Sequence, residues 1–107
     1  MEDRELRELL ELAALAAGIE GKCDSFGFRL KYCRPDGTWY WRPRDDDGDS
    51  LRLAVKLGME IAIHETYSGV IDGNLVVGIE QHGDDPYAAT RLAVLKCAAE
   101  IGRRKRE

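Results

Sequence analysis

Apolar residues at helical spacing open the chain. Leu6, Leu9, Leu10, Ala13 and Ala17 fall on one face of a 3.6-residue repeat, with Arg4, Glu5, Arg7, Glu8 and Glu11 on the other. The spacing predicts an amphipathic helix over 4–17, capped by Asp3 and stopped by Gly18, with Ile19 as the hydrophobic contact of a Schellman closure. From residue 25 the period changes to two. Phe26, Phe28, Leu30 and Tyr32 point one way while Gly27, Arg29, Lys31 and Cys33 point the other, which reads as one strand over 25–33. Arg34-Pro35-Asp36-Gly37-Thr38 supplies a turn, since proline presets φ and glycine accepts a positive φ. A second strand over 38–42 completes a hairpin, and Pro43 ends it.

The second half follows a similar plan. Asp45, Asp46, Asp47 and Asp49 announce a helix N-terminus, where carboxylates cap free N–H groups and face the positive end of the dipole. Leu51, Ala54 and Val55, widened by Leu57, form the expected buried stripe, and Gly58 stops the helix. Met59, Ile61 and Ile63 alternate with Glu60, Ala62 and His64 as a third strand. Ser68-Gly69 and Asp72-Gly73-Asn74 read as turns around a short Val70-Ile71 segment, and Leu75, Val77 and Ile79 define a fourth strand. Asp85 as N-cap and Pro86 at the first helical position open a last helix, which its alanines make the most buried of the three. Gly102 is expected to end it, leaving a frayed basic tail at 103–107. The order α-ββ-α-ββ-α predicts an α+β fold: an antiparallel sheet of about four strands with three helices, layered as an α/β/α sandwich.

With 107 residues, the chain is expected to form a single domain, 1–107. The apolar run 12–19 is too short to span a bilayer and no basic stretch precedes it as in a signal peptide, so a cytoplasmic location is expected. Three cysteines, an odd number without a C-x-x-C pair, read as reduced thiols, and a Cys23–Cys33 bridge stays open. The net charge of -4 conceals blocks of opposite sign. Residues 22–44 hold six basic and two acidic groups, 45–90 ten acidic and two basic, and 91–107 six basic and two acidic.

Chemistry is sparse. The aspartate run lacks the alternating ligands and later glutamate of a calcium loop, and capping accounts for it without a metal. His64 and His82 stand near carboxylates in sequence but in no metalloprotease or nucleophile-elbow motif, and Cys97 sits mid-helix among alanines. No metal, cofactor or catalytic constellation is therefore expected. The hairpin is the more promising surface. It gathers Phe26, Phe28, Tyr32, Trp39, Tyr40 and Trp41 with Lys22, Arg29, Lys31, Arg34, Arg42 and Arg44, and alternation sends part of the aromatic set into the core. Trp39 and Trp41 are expected on one face and Tyr40 on the other.

Two stretches resemble small uncharacterised proteins of tailed phages and prophages. One is Trp41-Arg42-Pro43-Arg44 running through the aspartates to Gly58; the other begins His82-Gly83-Asp84-Asp85-Pro86 and continues through the alanine-rich helix to Gly102. The layout as a whole is similar to the phage αβα-sandwich domain. The resemblance implies a phage or prophage origin, a bacterial host cell and a layered α/β fold, and it brings no assigned activity or site. The expected role is a non-enzymatic accessory protein that binds a host or phage protein. Its contact surface would be Arg29, Lys31, Arg34, Trp39 and Arg42, with a secondary basic patch at Arg103, Arg104, Lys105 and Arg106. A nucleic-acid binder using the hairpin and the basic tail is the alternative. A metal-dependent hydrolase combining Asp45 to Asp49 with His64 or His82 is the third reading.

Overall fold

The computed structural model describes residues 2–32, 35, 37 and 39–107, so Cys33 and the expected turn residues Arg34, Asp36 and Thr38 lie outside the described residues. The elements run α1 (Asp3–Ala17), β1 (Gly21–Asp24), β2 (Gly27–Leu30), β3 (Tyr40–Trp41), α2 (Asp47–Lys56), β4 (Glu60–Ile63), β5 (Tyr67–Ile71), β6 (Val77–Gln81) and α3 (Pro86–Arg106). Among the described residues the fold is α+β with three helices, as expected, and six strands in two antiparallel sheets of order β1-β2-β3 and β4-β5-β6, where a single sheet of about four was expected.

One additional strand follows from a turn at Ser25-Phe26 where a strand was expected, and the other from a strand through Ser68-Gly69 where a turn was expected. Residues 25–33 do not form one strand, because the Asp24 carboxylate accepts the Phe26 N–H at 2.7 Å and Gly27 takes a φ of 132°. The chain reverses at Ser25-Phe26, and β1 pairs with β2. The pairing of β2 with β3 is the expected hairpin. In the second half, Ser68-Gly69 lies inside β5, the central strand, and not in a turn.

The phase of the apolar stripes also differs. Val76 is buried at 2% exposure, whereas Val77 and Ile79 are 49% and 57% exposed. Gly78 decides this: a Cβ there would come within 2.2 Å of the Ala93 carbonyl oxygen, so this face of β6 is the one that lies on α3. In α2 the apolar residues 51, 53, 54, 55 and 57 offer two overlapping helical phases. Leu53 and Ala54 are buried and Leu51 and Val55 exposed, so the expected stripe is rotated. Both Asp-capped starts are found: Asp46 accepts from the Asp49 N–H, and Asp85 accepts from the N–H groups of Tyr87 and Ala88. Asp3 does not cap α1 but is its first residue, and Gly18 closes that helix at a φ of 70°.

Helix α3 is the centre of the molecule. It packs on β5 and β6, along α1, and against α2. Gly102 is a crossing point within it and not its end, since a Cβ there would meet the Leu12 carbonyl oxygen of α1 at 1.8 Å. The helix continues to Arg106, with Arg103 bridging Glu100 and, across to α1, Glu8. Residues 103–106 are thus helical, where a frayed tail was expected. The helices cover one face of β4-β5-β6, and the other face leaves Ala62, Tyr67, Val77 and Ile79 exposed, which departs from the expected α/β/α layering. The radius of gyration is 13.1 Å, against about 13 Å for one compact domain of this length. Among the described residues no helix is long and apolar enough to cross a membrane.

Candidate functional site

The first sheet sorts its side chains by register. Cys23, Phe28 and Trp41 form one cross-strand row, and Lys22, Arg29 and Tyr40 form the next, on the opposite face. Phe28 and Trp41 are buried and meet edge to face at 5.6 Å. This row ties the sheet to the core and frees the other for solvent.

The outer row is tied by a cross-strand hydrogen bond and is cationic. Tyr40 on β3 donates its hydroxyl to the Asp24 carboxylate of β1 at 2.8 Å, bridging the two edges of the sheet. Arg7 of α1 donates to the Asp24 carbonyl at 2.9 Å. The Phe26 N–H, then the Tyr40 hydroxyl, hold the Asp24 carboxyl below its ordinary range, and the same contact raises the Tyr40 hydroxyl. Arg29 places its guanidinium 5.8 Å from the Trp39 ring centroid, and Arg42 places its own 5.7 Å from that of Tyr40. Neither arginine has an ion-pair partner among the described residues.

The predicted surface residues therefore divide. Arg29, Trp39 and Arg42 come together on this face. Trp39 lies outside β3 and is 51% exposed beside Arg29, while Trp41 is 4% exposed, so the two do not share an environment as expected. Lys31 is drawn away: Glu20 accepts its ammonium at 3.1 Å and raises its pKa. Arg34 is outside the described residues. Phe26 packs edge-on to Tyr40 at 6.5 Å from its exposed turn, an addition that the single-strand reading of 25–33 concealed. A cleft of about 460 Å³ opens next to this sheet. Ile19, Leu30, Trp41 and Leu53 line it, with Arg52 and Lys56 among its charged lining residues.

The aspartates of the second helix start each have a protein partner. Asp46 caps the helix, Asp45 meets Arg44 at 3.3 Å and Asp47 meets Arg91 at 2.6 Å. Buried Asp49 accepts the Arg42 N–H at 3.0 Å and pairs with Arg52 at 2.8 Å. Among the described residues no three His, Cys, Asp or Glu side chains are grouped to hold a metal ion. His64 stacks on Tyr67, with ring centroids 4.5 Å apart.

One cluster escaped sequence reasoning. His82 lies 3.2 Å by Nδ1 from the Glu65 carbonyl, which can only accept, and 2.8 Å by Nε2 from Ser68 Oγ. Ser68 Oγ is also 2.7 Å from Thr90 Oγ1, and the Thr90 hydroxyl donates to the Pro86 carbonyl. The Thr90 proton is committed to Pro86, so the Ser68 hydroxyl donates to Thr90 and can only accept at His82, which is not the arrangement of an activated nucleophile. Ser68 also has 0% exposure, so its oxygen is closed to substrate, and the chain of contacts joins β5, the end of β6 and the start of α3. The residues are 14 and 22 positions apart, so no local motif could have revealed them.

Comparison of the chain with protein-family models, curated proteins and solved structures finds no match.

Proposed function

We propose that the protein is a non-enzymatic binding module that grips an acidic segment of another protein on the outer face of its first sheet. One observation carries this reading: Arg29 and Arg42 are positioned over the rings of Trp39 and Tyr40, and among the described residues neither guanidinium is in an ion pair at contact distance, although the Arg29 charge reaches the Asp24 carboxylate. Stacking on a ring limits the freedom of a guanidinium while leaving its N–H fork available, so a carboxylate gains a charge-assisted contact at a lower ordering cost. Exposed Trp39 and Phe26 add the aromatic area that protein interfaces favour. The partner is a host or phage protein and the site of action the bacterial cytoplasm, a reading that draws on the resemblance of residues 41–58 and 82–102 to phage proteins.

The test compares two baits in an affinity capture from bacterial lysate: the unaltered chain and an Arg29→Glu/Arg42→Glu variant whose circular dichroism matches it. A protein retained by the first and lost from the second supports the proposal. Equal recovery on both, or nothing above background, overturns it.

Nucleic acid is the second reading, because cations and exposed rings on a sheet also suit single strands. In the basic tail Arg103 is engaged by Glu100 and Glu8, which leaves exposed Arg104, Lys105 and Arg106 for this role. A mobility shift with single-stranded DNA or RNA that weakens steeply with salt would favour this reading.

A further inference from the structure

Strand β4 is an edge, and all four of its residues are exposed. Edge strands are ordinarily guarded by shortness, charged side chains, proline or a bulge, because open N–H and C=O groups template pairing with another chain. Glu60-Ile61-Ala62-Ile63 is short and carries one carboxylate at its end, but it has no lysine, proline or bulge, and its two β-branched residues suit a strand.

The backbone parity is defined by one hydrogen bond. The His64 N–H donates to the Tyr67 carbonyl at 2.8 Å, so this pair is of the hydrogen-bonded type. In an antiparallel ladder the types alternate. Ala62 opposite Gly69 and Glu60 opposite Ile71 are then also hydrogen-bonded, and Ile61 and Ile63 turn their N–H and C=O groups to the open edge.

We infer that two copies of this chain pair through β4, antiparallel about a two-fold axis at Ala62, joining two three-stranded sheets into one of six strands. This register brings Ile61 of each copy opposite Ile63 of the other. Both have outward backbone groups, so the two pairs make four main-chain hydrogen bonds. On the outer face it sets Glu60 opposite His64 at both ends, a complementary carboxylate and imidazole. The neighbouring self-pairings do not: centring on Ile61 puts Glu60 opposite Ala62, and centring on Ile63 puts Glu65 opposite Ile61.

The side-chain surface beside the edge agrees. Ile61 and Ile63 share the helix-side rows of Val70 and Ser68, and with Leu51, Tyr87 and Val94 they line a groove of about 380 Å³. Ile63, Leu51 and Tyr87 are all exposed. Pairing brings the second copy's isoleucines alongside this groove. Four residues of strand fall short of the roughly 800 Å² per copy that stable interfaces bury, and the groove residues extend the apolar area. This inference is independent of the binding role of the first sheet.

Sedimentation of the full chain over a wide concentration range tests it. The expected result is a reversible shift from the mass of one chain to that of two. Ala62→Lys, which sets two ammonium groups against each other at the axis, should leave a monomer with an unchanged circular dichroism spectrum. Glu60→Lys should weaken the dimer roughly tenfold, and adding His64→Glu should restore it. A wild-type chain that stays monomeric throughout overturns the proposal. So does a dimer that survives Ala62→Lys, or a charge exchange that fails to restore association.

Discussion

Two glycines carry more of this fold than their size implies. Gly102 and Gly78 are points where α3 meets the backbone of α1 and the face of β6, and a Cβ at either would intrude on a carbonyl oxygen. Gly102→Ala is expected to cost about 1–3 kcal/mol through overpacking, read as a lower urea midpoint. Gly73→Ala serves as the control, since a Cβ there meets nothing within 4 Å. Cys97, beneath the same face, has its thiol pushed up to about 11 by burial, with the Asp72 charge adding to the effect. The fold prefers the neutral thiol, so its contribution is complete below the ordinary value of 9.0 and is lost as pH rises toward about 11. The urea midpoint should fall across that window in the wild type, and less so in Cys97→Ala. If the two variants keep parallel profiles, the thiol is not the group responsible.

At the scale of the element, the aspartate run works as a helix start. Asp46→Ala should destabilise the protein by about 1 kcal/mol, and Asp85→Ala by a similar amount, because each removes a side-chain acceptor for helical N–H groups. Asp45→Ala, whose exposed contact with Arg44 is a surface ion pair, should change the thermal midpoint little. These helix starts were legible because a cap is a local device: the carboxylate and the N–H it accepts lie within three residues. The Asp24 turn is equally local, and an aspartate three residues before Gly27 was its signal, obscured by the alternation of Phe26, Phe28 and Leu30. The central strand β5 offered less. Its middle is Ser68-Gly69, and the serine is tolerated there because His82 and Thr90, both remote in sequence, hydrogen-bond its hydroxyl.

Across the whole molecule, α3 joins the parts into one unit: it contacts α1, α2, β5 and β6, while α1 reaches the first sheet. Both tryptophans lie at the first sheet, whereas the helices dominate the far-ultraviolet circular dichroism. Unfolding followed by tryptophan fluorescence and by circular dichroism should therefore give coincident transitions. Separated midpoints would show that the first sheet melts apart from the helical core. The candidate surface was readable only in part at this scale. Arg29, Trp39 and Arg42 meet as anticipated, but the Glu20 partner of Lys31 follows from the hydrogen bond that docks the Lys31 N–H on the Glu20 carbonyl.

Sequence alone determined the three helices, the aspartate-capped starts of α2 and α3, the Gly18 stop and the β2–β3 hairpin, since periodicity and capping act over a few residues and need no distant partner. It also determined the charge blocks and the gathering of rings and cations at 22–44. Tertiary structure decided which face of each stripe is buried, the division into two sheets, and the exposure of β4. The physical reason is that apolar residues occupy both phases in α2 and β6, so local pattern leaves two nearly equal solutions. Contact with α3 chooses between them. Gly78 allows one face of β6 to approach that helix and Val77 and Ile79 are left in solvent, an outcome that no hydrophobic count along the chain contains.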